Sequence, residues 1–206
     1  MKLFLAIGGV ALALLALDPS RAVAQGQQPL AIGSAAPKTG VKMKNVDGRE
    51  FSISDIAGPK GTLVLFSCNA CPWVKAWETR IAAIGNTYRQ KGVGIIAINS
   101  NDPMVQSEDS FEVMQKRAQE RGFQFPYVVD ATSDVARAFG ASRTPEAFLF
   151  DASGKLVYHG AIDDNAKAPD QVESNYLEDA LEAVIGGREI AVRETKSIGC
   201  TIKFRT

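Results

Sequence analysis

Apolar and polar positions change period several times along this chain of 206 residues. "TLVLFS", Thr62 to Ser67, is a continuous apolar, β-rich run bounded by Gly61 and Cys68, which predicts a buried central strand. From Pro72 the spacing becomes three and four: Val74, Trp77, Ile81, Ile84 and Tyr88 form a helical stripe ending near Gly92. Pro72 suits a first helical turn, where no backbone donor is needed. "VGIIAINS", Val93 to Ser100, predicts a second buried strand, and "SEDSFEVMQKRAQERG" a capped helix with Phe111, Met114 and Ala118 inward. A strand at "FPYVVD", a short helix at "SDVARAFG" closed by Gly140, a hairpin "EAFLFD-ASG-KLVYHG" and a helix "SNYLEDALEAVIGG" follow. Upstream, Asp47-Gly48 predicts the turn of a small hairpin. The core order is β-α-β-α-β-α-β-β-α, an α/β fold with its sheet covered on both faces. In such sheets function gathers outside the carboxyl ends of strands, where Cys68 and Cys71 fall.

The first residues change the compartment. Lys2 precedes an apolar run from Leu3 to Leu17, and Ala22-Val23-Ala24 forms a small-residue cleavage site. This layout predicts a signal peptide over residues 1–24 and a secreted, periplasmic protein. The run is shorter than the roughly 20 apolar residues of a spanning helix, so no membrane anchor is expected. The remaining chain divides into a linker, 25–32, one domain, 33–186, and a C-terminal tail, 187–206. Removing Lys2, Asp18 and Arg21 from 23 basic and 23 acidic residues leaves a net charge of about −1. With no long run of one sign, composition points to neither nucleic acid nor an anionic membrane as partner.

Three cysteines are too few for a disulfide-stapled scaffold. Zinc would take Cys68, Cys71, Cys200 and the sole histidine, His159, as a Cys₃His set. Close-spaced ligand pairs usually come in twos in such sites, and here there is one. An inert staple between Cys68 and Cys71 would close a very small loop and stabilise little. Redox chemistry fits the position better. A cysteine just before a helix feels unpaired N–H groups and the positive end of the macrodipole, both of which favour thiolate. On this reading Cys68 attacks a disulfide and Cys71 resolves the mixed disulfide, without metal or organic cofactor.

The segments "GSAAP", "DGREFSISDI", "LVLFSCNACPWVK", "IIAINSND", "FPYVVD", "ASRTPEAFLFDASGKLVYHGAIDD" and "GCTIKF" resemble the redoxins, the alkyl hydroperoxide reductase/thiol-specific antioxidant family of the thioredoxin superfamily. The resemblance implies a thioredoxin-like fold, a central mixed sheet flanked by helices, here with an N-terminal hairpin and a C-terminal tail extension. It implies that Pro145 is cis and that Thr144 and Pro145 support the thiols, leaving main chain free to pair with an extended substrate. Relatives often carry Cys-Asn-His-Cys; Ala70 stands in place of that histidine, and His159 reads as a strand-end surface residue. The family also contains peroxidases, whose peroxide-attacking cysteine precedes a proline as Cys71 does. They carry Thr or Ser where this chain has Cys68, and an arginine before the strand matching "FLFD", where this chain has Pro145 with Arg143 two residues away. Without those donors the peroxide O–O bond is less polarised, so exchange with protein or small-molecule disulfides and a redox partner is favoured over peroxide. Glu78 and Glu146 read as exposed, and Trp73 as either an apolar rim or a packing residue.

In the tail, Ile198, Cys200, Ile202 and Phe204 alternate with Gly199, Thr201, Lys203 and Arg205. One reading is a terminal strand with Cys200 buried and inert. The other has the tail folding back over the sheet to bring Cys200, a possible third thiol, beside Cys68 and Cys71.

Overall fold

The computed structural model describes residues 28–206, so the expected signal peptide and the first part of the linker lie outside the described residues. The core strand β3 (Gly61–Phe66) shows why its sequence is uninterrupted in apolar character. Side chains alternate across a strand, so Leu63 and Leu65 enter one core while Val64 and Phe66 enter another. On the first face lie helices α1 (Pro72–Gln90), α2 (Phe111–Glu120) and α4 (Tyr176–Ile185), through residues such as Trp77, Ile81, Met114, Leu177 and Leu181. On the second lies α3 (Asp134–Phe139) with Val135, Ala136 and Phe139, joined by Ile202 from the tail.

The N-terminal hairpin is β1 (Met43–Asn45) and β2 (Glu50–Phe51), turning at the positive-φ Gly48. With β4 (Val93–Asn99) and β5 (Tyr127–Val129) it forms a sheet ordered β2-β1-β5-β4, in which β4 and β5 are parallel and the other pairs antiparallel. A second group, β3 with β7 (Glu146–Asp151) and β8 (Leu156–Gly160), is antiparallel throughout. The two groups meet where β3 lies alongside β4, and Ser67 N–H donates to Ile98 O at 2.9 Å there. The sheet is therefore mixed.

Two further strands are too short for a sequence pattern to reveal: β6 (Arg143–Thr144) pairs antiparallel with β9 (Cys200–Thr201). The expected alternation of the tail does not hold beyond these residues. Ile198 is exposed, whereas Ile202 is buried and its N–H donates to Ser142 O at 3.0 Å. The helix expected from Ser107 begins instead at Phe111. Ser110 is its cap, accepting from Val113 N–H, and Ser107–Asp109 forms a separate 3₁₀ turn. Residues of the expected linker touch the domain. Leu30 N–H donates to Phe139 O at 2.9 Å, and Leu30 and Ile32 pack on the second core.

Candidate active site

The two thiols sit where β3 hands over to α1. Cys68 follows the strand; Cys71 is the residue before the helix, with extended backbone, and Pro72 takes the first helical position. Both are 3 % exposed, and all three cysteines are free thiols in this structure. Across from them the Thr144-Pro145 bond is cis. Cys68 Sγ lies 3.1 Å from Thr144 Oγ1, and Cys71 Sγ lies 3.1 Å from Thr144 O, to which it donates only while it carries its proton. Thr144 thus meets one sulfur with its hydroxyl and the other with its main chain.

The sulfur that gathers donors is that of Cys71. A hydrogen bond from the Cys68 thiol is the largest cause lowering its pKa to about 5. Burial opposes this, while the Cys200 thiol, Val74 N–H and Cys200 N–H add to it. Val74 N–H is one of the unpaired donors of the first helical turn. Cys68 is pushed well up by the same shared hydrogen bond, by burial and by the charge of Asp109. The two sulfurs titrate as a pair, and the shared hydrogen bond makes Cys71 the more acidic of the two. Helix α1 begins after the second cysteine, so its first-turn donor Val74 N–H serves Cys71, whereas the local pattern predicts Cys68 as the attacking thiol.

Behind the thiols lies a buried polar frame. The Asp109 carboxylate accepts the N–H groups of Asn69 at 2.5 Å and Ala70 at 3.2 Å, the two residues between the cysteines. Its other oxygen accepts the Asn101 amide at 2.7 Å. The Asn69 side chain donates to Glu108 O and accepts from the Tyr127 hydroxyl, at 3.0 and 2.9 Å. Asp109, Asn69, Asn101 and Tyr127 were absent from the sequence reading. The available signal was "INSND" at the carboxyl end of a buried strand, where polar residues line sites in such sheets.

Three side chains expected on the surface are buried. Glu146 and His159 pair at 2.8 Å, and the histidine ring lies against Phe148. The second Glu146 oxygen accepts Ser142 N–H and Arg143 N–H at 2.8 and 2.9 Å, bracing the loop that leads into Pro145. Glu78 is clamped by Arg117 and Arg121, tying α1 to α2. A buried carboxylate is tolerable only when paired in this way, a long-range fact that a local pattern does not carry. Trp73 is half-buried against the cysteine cluster, with Lys167 over its ring. Arg143 turns its guanidinium to Gly199 O at 3.2 Å.

The tail reaches the thiols. Cys200 pairs with Thr144 across β6 and β9, and its N–H donates to Cys71 Sγ at 3.4 Å. His159 does not join the three cysteines: among the described residues, no group of three or more His, Cys, Asp and Glu is arranged to hold a metal ion. Nor is any described helix long and apolar enough to cross a membrane.

Comparison with known proteins accords with this geometry. The thiol-disulfide oxidoreductase ResA of Geobacillus thermodenitrificans is 31 % identical over 62 % of this chain and 67 % of its own. The crystal structure of an uncharacterized conserved protein from Geobacillus kaustophilus superposes with a TM-score of 0.78 at 38 % identity, covering 85 % of this chain and 93 % of that one. A thioredoxin-like protein solved in its oxidized form shares the fold at 19 % identity, with a TM-score of 0.59 over 77 % of this chain and 97 % of its own. The model of the AhpC/TSA family matches residues 32–159, a span that carries both paired cysteines, Thr144, Pro145 and the Glu146–His159 pair, and the chain belongs to that family.

Proposed function

We propose that this protein is a thiol–disulfide oxidoreductase that cycles between the Cys68/Cys71 dithiol and its disulfide. The observation that carries the reading is the position of Cys71 Sγ, which meets a thiol donor, the first turn of α1 and the Thr144-Pro145 loop at once. The Cys71 thiolate attacks a substrate disulfide, one substrate sulfur leaves, and Cys68 attacks Cys71 Sγ to release the other. Two electrons pass to the substrate, and a redox partner restores the dithiol. The shared hydrogen bond favours this order, since Cys68 is already in contact with the sulfur it must attack. The relatives named as thiol-disulfide oxidoreductases support the activity. The apolar leader with its Ala22-Val23-Ala24 site supports work in an oxidising compartment outside the cytoplasm.

Trapping tests the assignment. With a disulfide-containing protein substrate, the Cys68→Ser, Cys200→Ser double variant should accumulate a mixed disulfide at Cys71. Accumulation at Cys68 in the Cys71→Ser protein, with none at Cys71 in the double variant, would reverse the roles.

A further inference from the structure

The segment that carries Cys200 is a strap fixed at both ends. At one end the Thr195 hydroxyl accepts Ala161 N–H at 2.9 Å and meets the Tyr158 hydroxyl at 2.9 Å, while Thr195 N–H donates to His159 O at 3.0 Å. At the other end Ile202 is buried and Lys203 N–H donates to Asn101 Oδ1 at 2.8 Å. Between these anchors Gly199 lies so close to Thr144 that a Cβ there would stand 2.2 Å from Thr144 O. The main chain of Thr144 is therefore already paired, by Cys200, on the side where an extended substrate was expected.

The strap leaves a cleft of about 170 Å³, lined by Cys68, Cys71, Cys200, Gln106 and Lys203 among others. Cys68 and Cys71 lie at its floor, almost wholly buried; Cys200 is half-buried at its edge. A cavity of this size admits a small thiol or a single side chain, below the range usual for larger ligands. A folded protein partner reaches Cys200 more readily than either paired sulfur.

We propose that Cys200 is a third redox thiol, which takes the disulfide over from the Cys68/Cys71 pair and presents it to a protein dithiol. The proposal rests on the oxidoreductase reading above. In the oxidised chain, the Cys200 thiolate attacks Cys71 Sγ. The Cys71–Cys200 bond forms, the Cys68–Cys71 bond breaks, and Cys68 leaves and takes up the proton that Cys200 lost. No net electrons move. A thiolate of the reducing partner then attacks Cys200 Sγ, and Cys71 leaves as thiolate. The partner's second thiol attacks the mixed disulfide and releases Cys200, so the partner becomes a disulfide and two electrons enter the chain.

Contact makes the internal step fast, because a nucleophile already held against its target acts at an effective concentration no free thiol reaches. The electrostatics also set its timing. Burial, then the hydrogen bond with Cys71 and the charge on Cys71, hold the Cys200 thiol up at about 11, while Lys203 and Arg143 pull it down. Both contributions from Cys71 vanish once that sulfur is in a disulfide. Oxidation of the pair thus eases ionisation of Cys200, while the effect of burial remains.

The test uses the full chain, oxidised, with two reductants of different size: reduced thioredoxin and dithiothreitol. Cys200→Ser should slow reduction by thioredoxin at least tenfold and reduction by dithiothreitol less than threefold. Peptide mapping of oxidised Cys68→Ser should show a Cys71–Cys200 disulfide, a readout that does not depend on the strap tolerating a change at 200. An unchanged rate with thioredoxin, or a Cys68→Ser protein without that bond, would overturn the relay alone. A wild-type chain that never forms a reducible Cys68–Cys71 disulfide would overturn the oxidoreductase reading beneath it.

Discussion

Asp109 accepts the main-chain N–H of Asn69 at 2.5 Å, so a residue forty positions away fixes the shape of the loop between the two thiols. The same carboxylate raises the Cys68 thiol through its charge. It therefore both shapes the loop and disfavours a charge on Cys68.

Asp109→Ala leaves Asn69 N–H, Ala70 N–H and the Asn101 amide without their acceptor. Each unpaired buried group costs about 1–3 kcal/mol, less where water enters, so a total loss of roughly 2–4 kcal/mol is expected. For a chain of this length that lowers Tm by about 2–4 °C per kcal/mol, measurable by thermal unfolding. Asp109→Asn removes the charge with a smaller loss, and should lower the Cys68 pKa. A Tm unchanged in both variants would contradict the framing role.

Reactivity should report the thiolate on Cys71. Its pKa falls from the ordinary 9.0 to about 5, so at pH 6–8 its alkylation by iodoacetamide should be nearly independent of pH. Below about 5 the rate should drop tenfold per pH unit as the sulfur protonates. A folded-state pKa below the unfolded value also stabilises the dithiol protein as pH rises from about 5 towards 9, and that contribution is lost as pH falls through 5. Peptide-resolved alkylation distinguishes this from a normal thiol, whose rate keeps rising to pH 9.

Glu146→Ala should cost roughly 2–4 kcal/mol, because Ser142 N–H, Arg143 N–H and His159 Nε2 lose their partner inside the protein. It should also slow disulfide exchange, since the braced loop carries Thr144. Glu146→Gln keeps an acceptor for the loop and should restore most of the exchange rate. Equal exchange rates in Glu146→Ala and wild type would show that the brace serves stability only.

How much of this was legible beforehand depends on range. The runs Thr62–Ser67 and Val93–Ser100 announced central strands because both faces of the sheet are covered, and period-two alternation sends neighbours such as Val64 and Leu65 into different cores. The thiols, their place at a strand end and the Thr144-Pro145 bond were also readable, since each depends on local pattern or on family likeness. What stayed hidden is set by tertiary partners. Glu78, Glu146 and His159 look like surface residues until the arginines of α2 and the loop at 142–143 are seen to pair with them. The two-residue strands β6 and β9 carry no periodicity at all, and it is Gly199 that lets them approach.

Peroxide should be a poor substrate. Cys68 stands where the peroxidases of the family carry Thr or Ser, and Arg143 is engaged with Gly199 O. Stopped-flow measurement with hydrogen peroxide should give the rate of an ordinary thiolate. A rate orders of magnitude higher would favour a dedicated peroxidase with Cys71 as its peroxide-attacking sulfur.

The most direct test of the central claim is the reduction potential of the protein, measured by equilibration with glutathione and mass mapping of the oxidised form. An exchanging Cys68/Cys71 couple requires a reversible two-electron transition between about −270 and −120 mV, the range spanned by working dithiols, abolished in Cys71→Ser. A potential below about −300 mV, where structural disulfides lie, or no reversible transition, would contradict it.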